Sequence, residues 1–358
     1  MRKVWQILPT FYFGDAIGND CLAISRFLTD EGIENGIAAK VIHPKMEKYA
    51  VTFEEAKEKI QDDDLILYHL SVGDEMNDWF AALSNKKGVI YHNITPYRFF
   101  KTYSVAHIAV TQLGRRQMTK MAGSVDFAIA DSAYNAAELT KLGFPTPSVV
   151  PILMPFDDYK QEPDAETVRK MSDGKKNILF VGRVAPNKCQ EDIIAVFSEL
   201  KKHYGVNARL ILAGSYGGME EYKERLDKYV KQLSLSDDVI FTGHISFAEI
   251  LAFYKTAHAF VIMSEHEGFC VPVVEAYLFG VPVLACDYGA IGETMGGAGV
   301  LLSSQKDPAK AASVLLEMLN DEKWRAEQKE KMKEALTRFD TKVVEDRLRE
   351  VLLPWVKD

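Results

Sequence analysis

Short apolar runs alternate with segments of helical length along the whole chain, and that alternation leaves few folds open. Residues 3–8, 65–70, 88–91, 125–130, 177–181, 209–213, 259–263 and 282–286 read as buried strands. Strands joined by crossovers of helical length pair in parallel and carry helices on both faces, so the expected fold class is α/β with doubly wound sheets. At 358 residues the chain is too long for one typical core and suits two domains. Residues 155–164 are polar and punctuated by Pro155 and Pro163, as a hinge should be. The expectation is a Rossmann-like domain over 1–155 and a second over 156–340. Their carboxyl edges are expected to face each other across a crevice, where sheets of this kind bind ligands.

Composition removes several function classes. With 47% apolar and 26% charged residues the chain is globular. A net charge of −8 lacks the basic footprint of a nucleic-acid binder. Cys21, Cys189, Cys270 and Cys286 show neither metal-ligand nor disulfide-framework spacing, which fits a reducing cytoplasm. Gln6, Pro9 and Asp15 interrupt the apolar start of the chain, so no signal peptide is expected. No run of about twenty apolar residues occurs, and no membrane span is expected.

The stretch 264–276 carries the strongest chemical signal. It follows the strand 259–263, and Pro272 falls in the first turn of the next helix, where a missing N–H costs nothing. Gly280 ends that helix. Glu267 then lies in the loop and Glu275 in the second turn, one on each side of the helix N-terminus, whose amides and dipole favour an anion. Two carboxylates around an anion cradle suit a nucleotide-sugar, with phosphates in the middle and hydroxyls at both ends. In residues 177–188 a buried strand runs into Gly182 and delivers Arg183 and Lys188 at its carboxyl end, a fork and a point charge that suit a diphosphate.

Glu267-Gly-Phe-Cys-Val-Pro-Val-Val-Glu275-Ala resembles the E-x7-E signature of glycosyltransferase family four, retaining enzymes of GT-B fold. The resemblance covers nearly all of the second domain and softer matches in the first. It implies that Arg183 and Lys188 stabilise the departing diphosphate with the amides of Phe269 and Cys270, and that Gly182 and Gly268 line the substrate. Glu275 takes the ribose hydroxyls, Glu267 the sugar hydroxyls, and Ile245, with His244 as a weaker neighbour, lies along the base. Cys189 stands where the family commonly has glycine, which leaves the local backbone geometry open; Cys270 also departs from a family glycine, but an amide donor survives that change. The loop 11–20, with Gly14, Asp15 and Asn19, is expected against donor phosphates and acceptor. The family also implies a final helix, 341–358, that returns to the first domain. Val344, Leu348, Val351, Leu352 and Trp355 make it one apolar stripe, with Asp340 at its cap.

His92 follows a strand ending at Tyr91 and precedes a polar Asn-x-Thr-Pro, a better place for chemistry than for packing. It matches a family histidine near the donor sugar, and His69 is its reserve. Asp62-Asp63-Asp64 lies at the amino end of a strand and reads as a solvated turn. No metal or other cofactor is expected. Between Trp79 and Val125 there is no acidic residue, but Lys86, Lys87, Arg98, Lys101, Arg115, Arg116 and Lys120 occur. They form either a solvated face or a surface for anionic lipid or a lipid-linked acceptor. The expected function is hexose transfer from a nucleotide-diphosphate sugar to a hydroxyl acceptor, a glycan or lipid-linked glycan of a surface polysaccharide. An epimerase or phosphorylase of the same fold, and a silent partner of another transferase, remain open.

Overall fold

A computed structural model describes residues 1–12, 14–303 and 307–357. Phe13 of the loop 11–20 and Asp358 of the last helix lie outside the described residues. The chain divides into two compact units. Unit 1 comprises 1–98, 105–156 and 338–358, and unit 2 comprises 99–104 and 157–337.

Unit 1 is built on seven parallel strands: β1 (Val4–Phe11), β2 (Asn35–Ile42), β3 (Val51–Thr52), β4 (Leu65–Leu70), β5 (Lys87–Tyr91), β6 (Phe127–Ala130) and β7 (Ser148–Val149). Their order is β3-β2-β1-β4-β5-β6-β7, so the winding reverses between β1 and β4. Every residue of β4, β5 and β6 is buried, as expected of parallel strands covered on both faces. β1 runs three residues past the expected Leu8, through Pro9. Its pairing with β4 stops at Ile7, so Pro9 stands where only β2 flanks the strand and its missing N–H leaves no partner bereft.

The helix Thr341–Lys357 belongs to this unit. Val344, Leu348, Leu352 and Val356 are buried with Ile24, Phe27, Leu28, Leu65 and Ile90, and Trp355 stacks on Phe127. Val351 and Trp355 lie at the partly buried edge of the stripe.

Unit 2 holds six parallel strands: β8 (Lys176–Val181), β9 (Ala208–Ala213), β10 (Val239–Gly243), β11 (Ala259–Ile262), β12 (Val283–Cys286) and β13 (Val300–Leu302). The order β10-β9-β8-β11-β12-β13 reverses between β8 and β11. Ligand sites in open α/β sheets form at the carboxyl ends beside such a reversal. Arg183 and Lys188 follow β8, and Glu267 follows β11. In unit 1, Asp15 follows β1 and His69 lies near the end of β4. No helix among the described residues is long and apolar enough to cross a membrane.

Candidate functional site

In unit 2 the loop after β11 is held on two sides. The Glu265 amide donates to the Asn187 carbonyl at 2.9 Å, and the Ala290 amide to the Glu267 carbonyl at 3.0 Å. Gly289 has φ +61°, and a Cβ there would stand 2.4 Å from the Glu267 carbonyl oxygen, so only glycine lets the two turns meet. The buried Glu267 carboxylate takes both its oxygens to Lys188 Nζ, at 2.8 and 2.7 Å. Burial pulls the Lys188 pKa down, but the charge of Glu267, Cys270 beside it and the hydrogen bonds to Glu267 together hold the ammonium above the usual lysine range. The expected catalytic lysine and first glutamate thus meet as an ion pair.

The helix Val271–Leu278 begins with Pro272 in its first turn and no side-chain cap. Cys270, before it, has φ +82°. Cys189, between the short turn Pro186–Lys188 and the helix Gln190–Tyr204, has φ +52°. Both cysteines therefore hold the left-handed conformation that glycine adopts without strain. The local geometry left open at Cys189 is a left-handed turn. Phe269 is buried and its carbonyl accepts from Thr294, while Gly268 is half-buried.

Glu275, also buried, accepts from Tyr159 OH at 2.7 Å and Tyr254 OH at 2.6 Å, one phenol on each oxygen. Burial raises its pKa, and the two phenols act against that rise. Neither tyrosine was expected. Tyr159 stands in the stretch that reads as a hinge, 116 residues from its partner in sequence, and carries no local signal. Arg183 is exposed, and its Nη2 donates to the Gly217 carbonyl at 2.7 Å. Gly182 before it has φ +151°. Ile245 packs at the edge of the unit 2 core beyond β10, and His244 is exposed.

In unit 1, Asp15 caps the helix Ala16–Asp30 by accepting from the Gly18 amide at 3.2 Å. Gly14 is exposed with φ +79°, and Asn19 is half-buried. His92 and His69 lie together: His69 Nδ1 is 2.8 Å from His92 Nε2, and His92 Nδ1 is 2.9 Å from Asp131 Oδ2. Asp20 is buried next to them, its Oδ1 accepting from the Leu153 amide at 2.7 Å. Burial pushes its carboxyl up to about 7, against the pull of His92. Asp20 was missed, although a signal exists: it shares the i, i+4, i+7, i+8 face of Ile24, Phe27 and Leu28, where an acid is out of place. Among the described residues, Asp20, His69 and His92 bring ligating atoms within 4.8 Å of one another.

Two expectations need correction. The basic stretch 86–120 is not a single solvated face. Lys87 is buried and its ammonium donates to the Ala81 carbonyl at 2.9 Å, Lys86 pairs with Asp126 at 2.9 Å, and Arg115 pairs with Glu138 at 2.8 Å. The acids that neutralise it come from just beyond its end. Nor is Asp64 solvated: it is buried and accepts from Trp5 Nε1 at 3.1 Å and the Gln61 amide at 2.9 Å.

Comparison with known proteins finds likenesses in sequence and in fold. Residues 163–336 match the family model described as Glycosyl transferases group 1. D-inositol 3-phosphate glycosyltransferase of Frankia alni is 31% identical over 154 residues, 42% of this chain and 38% of that protein. O-antigen chain mannosyltransferase B of Escherichia coli is 28% identical over 147 residues, 41% of this chain and 38% of that one. The matched segments thus span under two-fifths of these relatives. The Anabaena HepE structure in complex with UDP and glucose aligns with a TM-score of 0.79 at 16% identity, covering 98% of this chain and 99% of that one. Sucrose-phosphate synthase of Thermosynechococcus elongatus aligns at 0.75 with 15% identity, covering 98% of each chain. Residues 163–336 are therefore similar to the group 1 glycosyl transferases, within a chain that has the two-sheet GT-B fold throughout.

Proposed function

We propose that the protein is a retaining glycosyltransferase that moves a hexose from a nucleotide-diphosphate sugar to a hydroxyl of a glycan or lipid-linked glycan. The observation that carries this reading is the charged cluster at the reversal between β8 and β11: Lys188 on both oxygens of Glu267, beside an uncapped helix N-terminus. Two bonds to Glu267 leave the ammonium one N–H for a diphosphate oxygen. The amides of Phe269 and Cys270 and the positive helix end add to it. Glu275, held between two phenols, keeps lone pairs for ribose hydroxyls, and Glu267 keeps lone pairs for the transferred sugar. Arg183 stands ready for the outer phosphate. Two cations and a helix end supply the charge that a divalent ion would, so the reading is metal-independent.

The HepE complex with UDP and glucose supports a UDP-linked hexose donor, and the mannosyltransferase likeness supports a hexose as the transferred sugar. Donor hydrolysis and transfer by the purified protein, assayed across UDP-, GDP- and ADP-sugars, test the reading. Turnover of one sugar nucleotide with retained anomeric configuration is expected, and no turnover or binding of any would overturn it. Peripheral contact with anionic membrane, through the basic stretch 86–120 and its exposed Arg116 and Lys120, belongs to the same proposal. Sedimentation with anionic vesicles at low salt checks it, and absence of binding there removes it.

A further inference from the structure

His92 stands just beyond the carboxyl end of β5 with both ring nitrogens engaged, Nδ1 by Asp131 and Nε2 by His69 Nδ1. His69 Nε2 lies 3.0 Å from Gln6 Oε1, and Gln6 Nε2 donates to the Cys21 carbonyl at 3.0 Å. The last bond sets the direction of all the others. A main-chain carbonyl only accepts, so the amide nitrogen of Gln6 faces Cys21 and its oxygen faces His69. His69 Nε2 must then carry a hydrogen. His69 is fully buried, and burial, then the charge on His92, hold its pKa well below the usual histidine value. It is neutral, its Nδ1 is bare, and His92 Nε2 is the donor between them. His92 Nδ1 faces a carboxylate and donates as well.

We propose that Gln6, acting through His69, and Asp131 together lock His92 as a buried imidazolium, which makes Gln6 and Asp131 positioning residues of the site. The neutral forms fit poorly. With hydrogen on Nε2 alone, His92 would aim a lone pair at Asp131; with hydrogen on Nδ1 alone, two bare nitrogens would face each other at 2.8 Å. A metal ion in place of the shared proton is the rival arrangement, since both outer N–H groups are held as those of metal-bound histidines are. Two nitrogens on one zinc at about 2.0–2.1 Å, however, stand about 3.3 Å apart in a tetrahedron, wider than the gap here. The spacing fits a proton.

The groups that face His92 come from each element packed on it: Asp15 and Asp20 from the helix Ala16–Asp30 and its cap, His69 from β4, and Asp131 after β6. Burial draws its pKa down, but Asp131 first, and then Asp20 and Asp15, raise it above the ordinary value. A ring whose side chain is 2% exposed and has no spare nitrogen does not shuttle protons. It places a fixed positive charge at the sheet edge. This deepens the reading of His92 as a site residue and depends on that reading only for its effect on turnover.

The test is nitrogen-detected titration of the full chain labelled with 15N-histidine, from pH 6 to 9. His92 is expected to stay doubly protonated past pH 7.5 and His69 to stay neutral with hydrogen on Nε2. In Gln6→Leu and, separately, in Asp131→Asn, the His92 midpoint is expected to fall by at least one pH unit. A wild-type His92 that is neutral at pH 7.5, midpoints unmoved in both variants, or stoichiometric zinc found on the purified protein overturns the lock. A failure to turn over any sugar nucleotide would sink the functional reading and leave the titration standing.

Discussion

Lys188 does two things that mutation separates. It neutralises a buried carboxylate and, on the proposed reading, the leaving diphosphate. Removing one partner of a buried pair costs about 3–5 kcal/mol because the other charge is left stranded, and the partial exposure of Lys188 places this pair at the lower end. Removing an oxyanion-type donor costs about 2.7–4 kcal/mol, or 100- to 1,000-fold in turnover. Lys188→Ala should therefore lose both stability and kcat. Lys188→Ala with Glu267→Gln should regain stability in a denaturant titration and stay slow. A double variant that recovers turnover would show Lys188 to be structural only. The two left-handed cysteines allow a second test. Burying a small side chain is favourable, but a non-glycine residue in this region costs about 1–2 kcal/mol. Cys270→Gly relieves that strain while losing the thiol's contacts and adding about 0.5–1 kcal/mol of chain entropy. Its measured stability should lie within about 1 kcal/mol of wild type, and a loss above about 3 kcal/mol would mean that the thiol packing outweighs the strain.

At the scale of elements, the site depends on turns that touch backbone to backbone. Gly289→Ala places a methyl group against the Glu267 carbonyl and forces a residue with φ +61° out of the glycine region. The loop after β11 must shift, taking Glu267 off Lys188. The expected result is a raised KM and a lowered kcat for the sugar donor, with the unit 2 melting temperature down by a few degrees. Unchanged kinetics would mean that the loop holds its place without the close turn. Such contacts also explain what the sequence discloses and what it hides. Eight of the thirteen strands among the described residues were legible, β4, β5 and β11 because they are buried on both faces and read as apolar runs; β2, β3, β7, β10 and β13 were not expected. Glu267, Glu275, Arg183 and Lys188 were legible because one strand–turn–helix unit spaces each pair. Tyr159 on Glu275 and Gln6 on His69 were not, because each bond joins residues 116 and 63 positions apart, and only the folded sheet order makes them neighbours. The basic stretch misled for the same reason, since Asp126 and Glu138 that neutralise it lie outside it.

At the scale of the whole molecule, unit 1 is discontinuous and cannot be completed until the last helix arrives. The Arg2 amide donates to the Val356 carbonyl at 2.9 Å, and Arg2 Nη1 to the Trp355 carbonyl at 2.9 Å, so the first strand is tied to the end of the chain. Val344, Leu348, Leu352 and Val356 are each at most 1% exposed. At about 1.5–3 kcal/mol for a buried aliphatic side chain, those four contribute roughly 6–12 kcal/mol, an upper figure because a denatured chain already hides some apolar surface. A domain's whole stability is about 5–15 kcal/mol, so the helix is comparable to everything unit 1 has in reserve. Among the described residues, the core cluster of unit 2 around Leu179, Ile211, Phe260 and Val283 contains no residue of 341–357. A chain ending at Asp340 should therefore lose hydrogen-exchange protection in β1, β4, β5 and β6 while β8, β9, β11 and β12 keep theirs. Calorimetry should show one surviving transition of reduced enthalpy. Protection retained in β1 and β4 would mean that the first unit's core closes over the exposed faces of Ile24, Phe27 and Leu28 without the helix, and that the bookkeeping of buried side chains overstates its share.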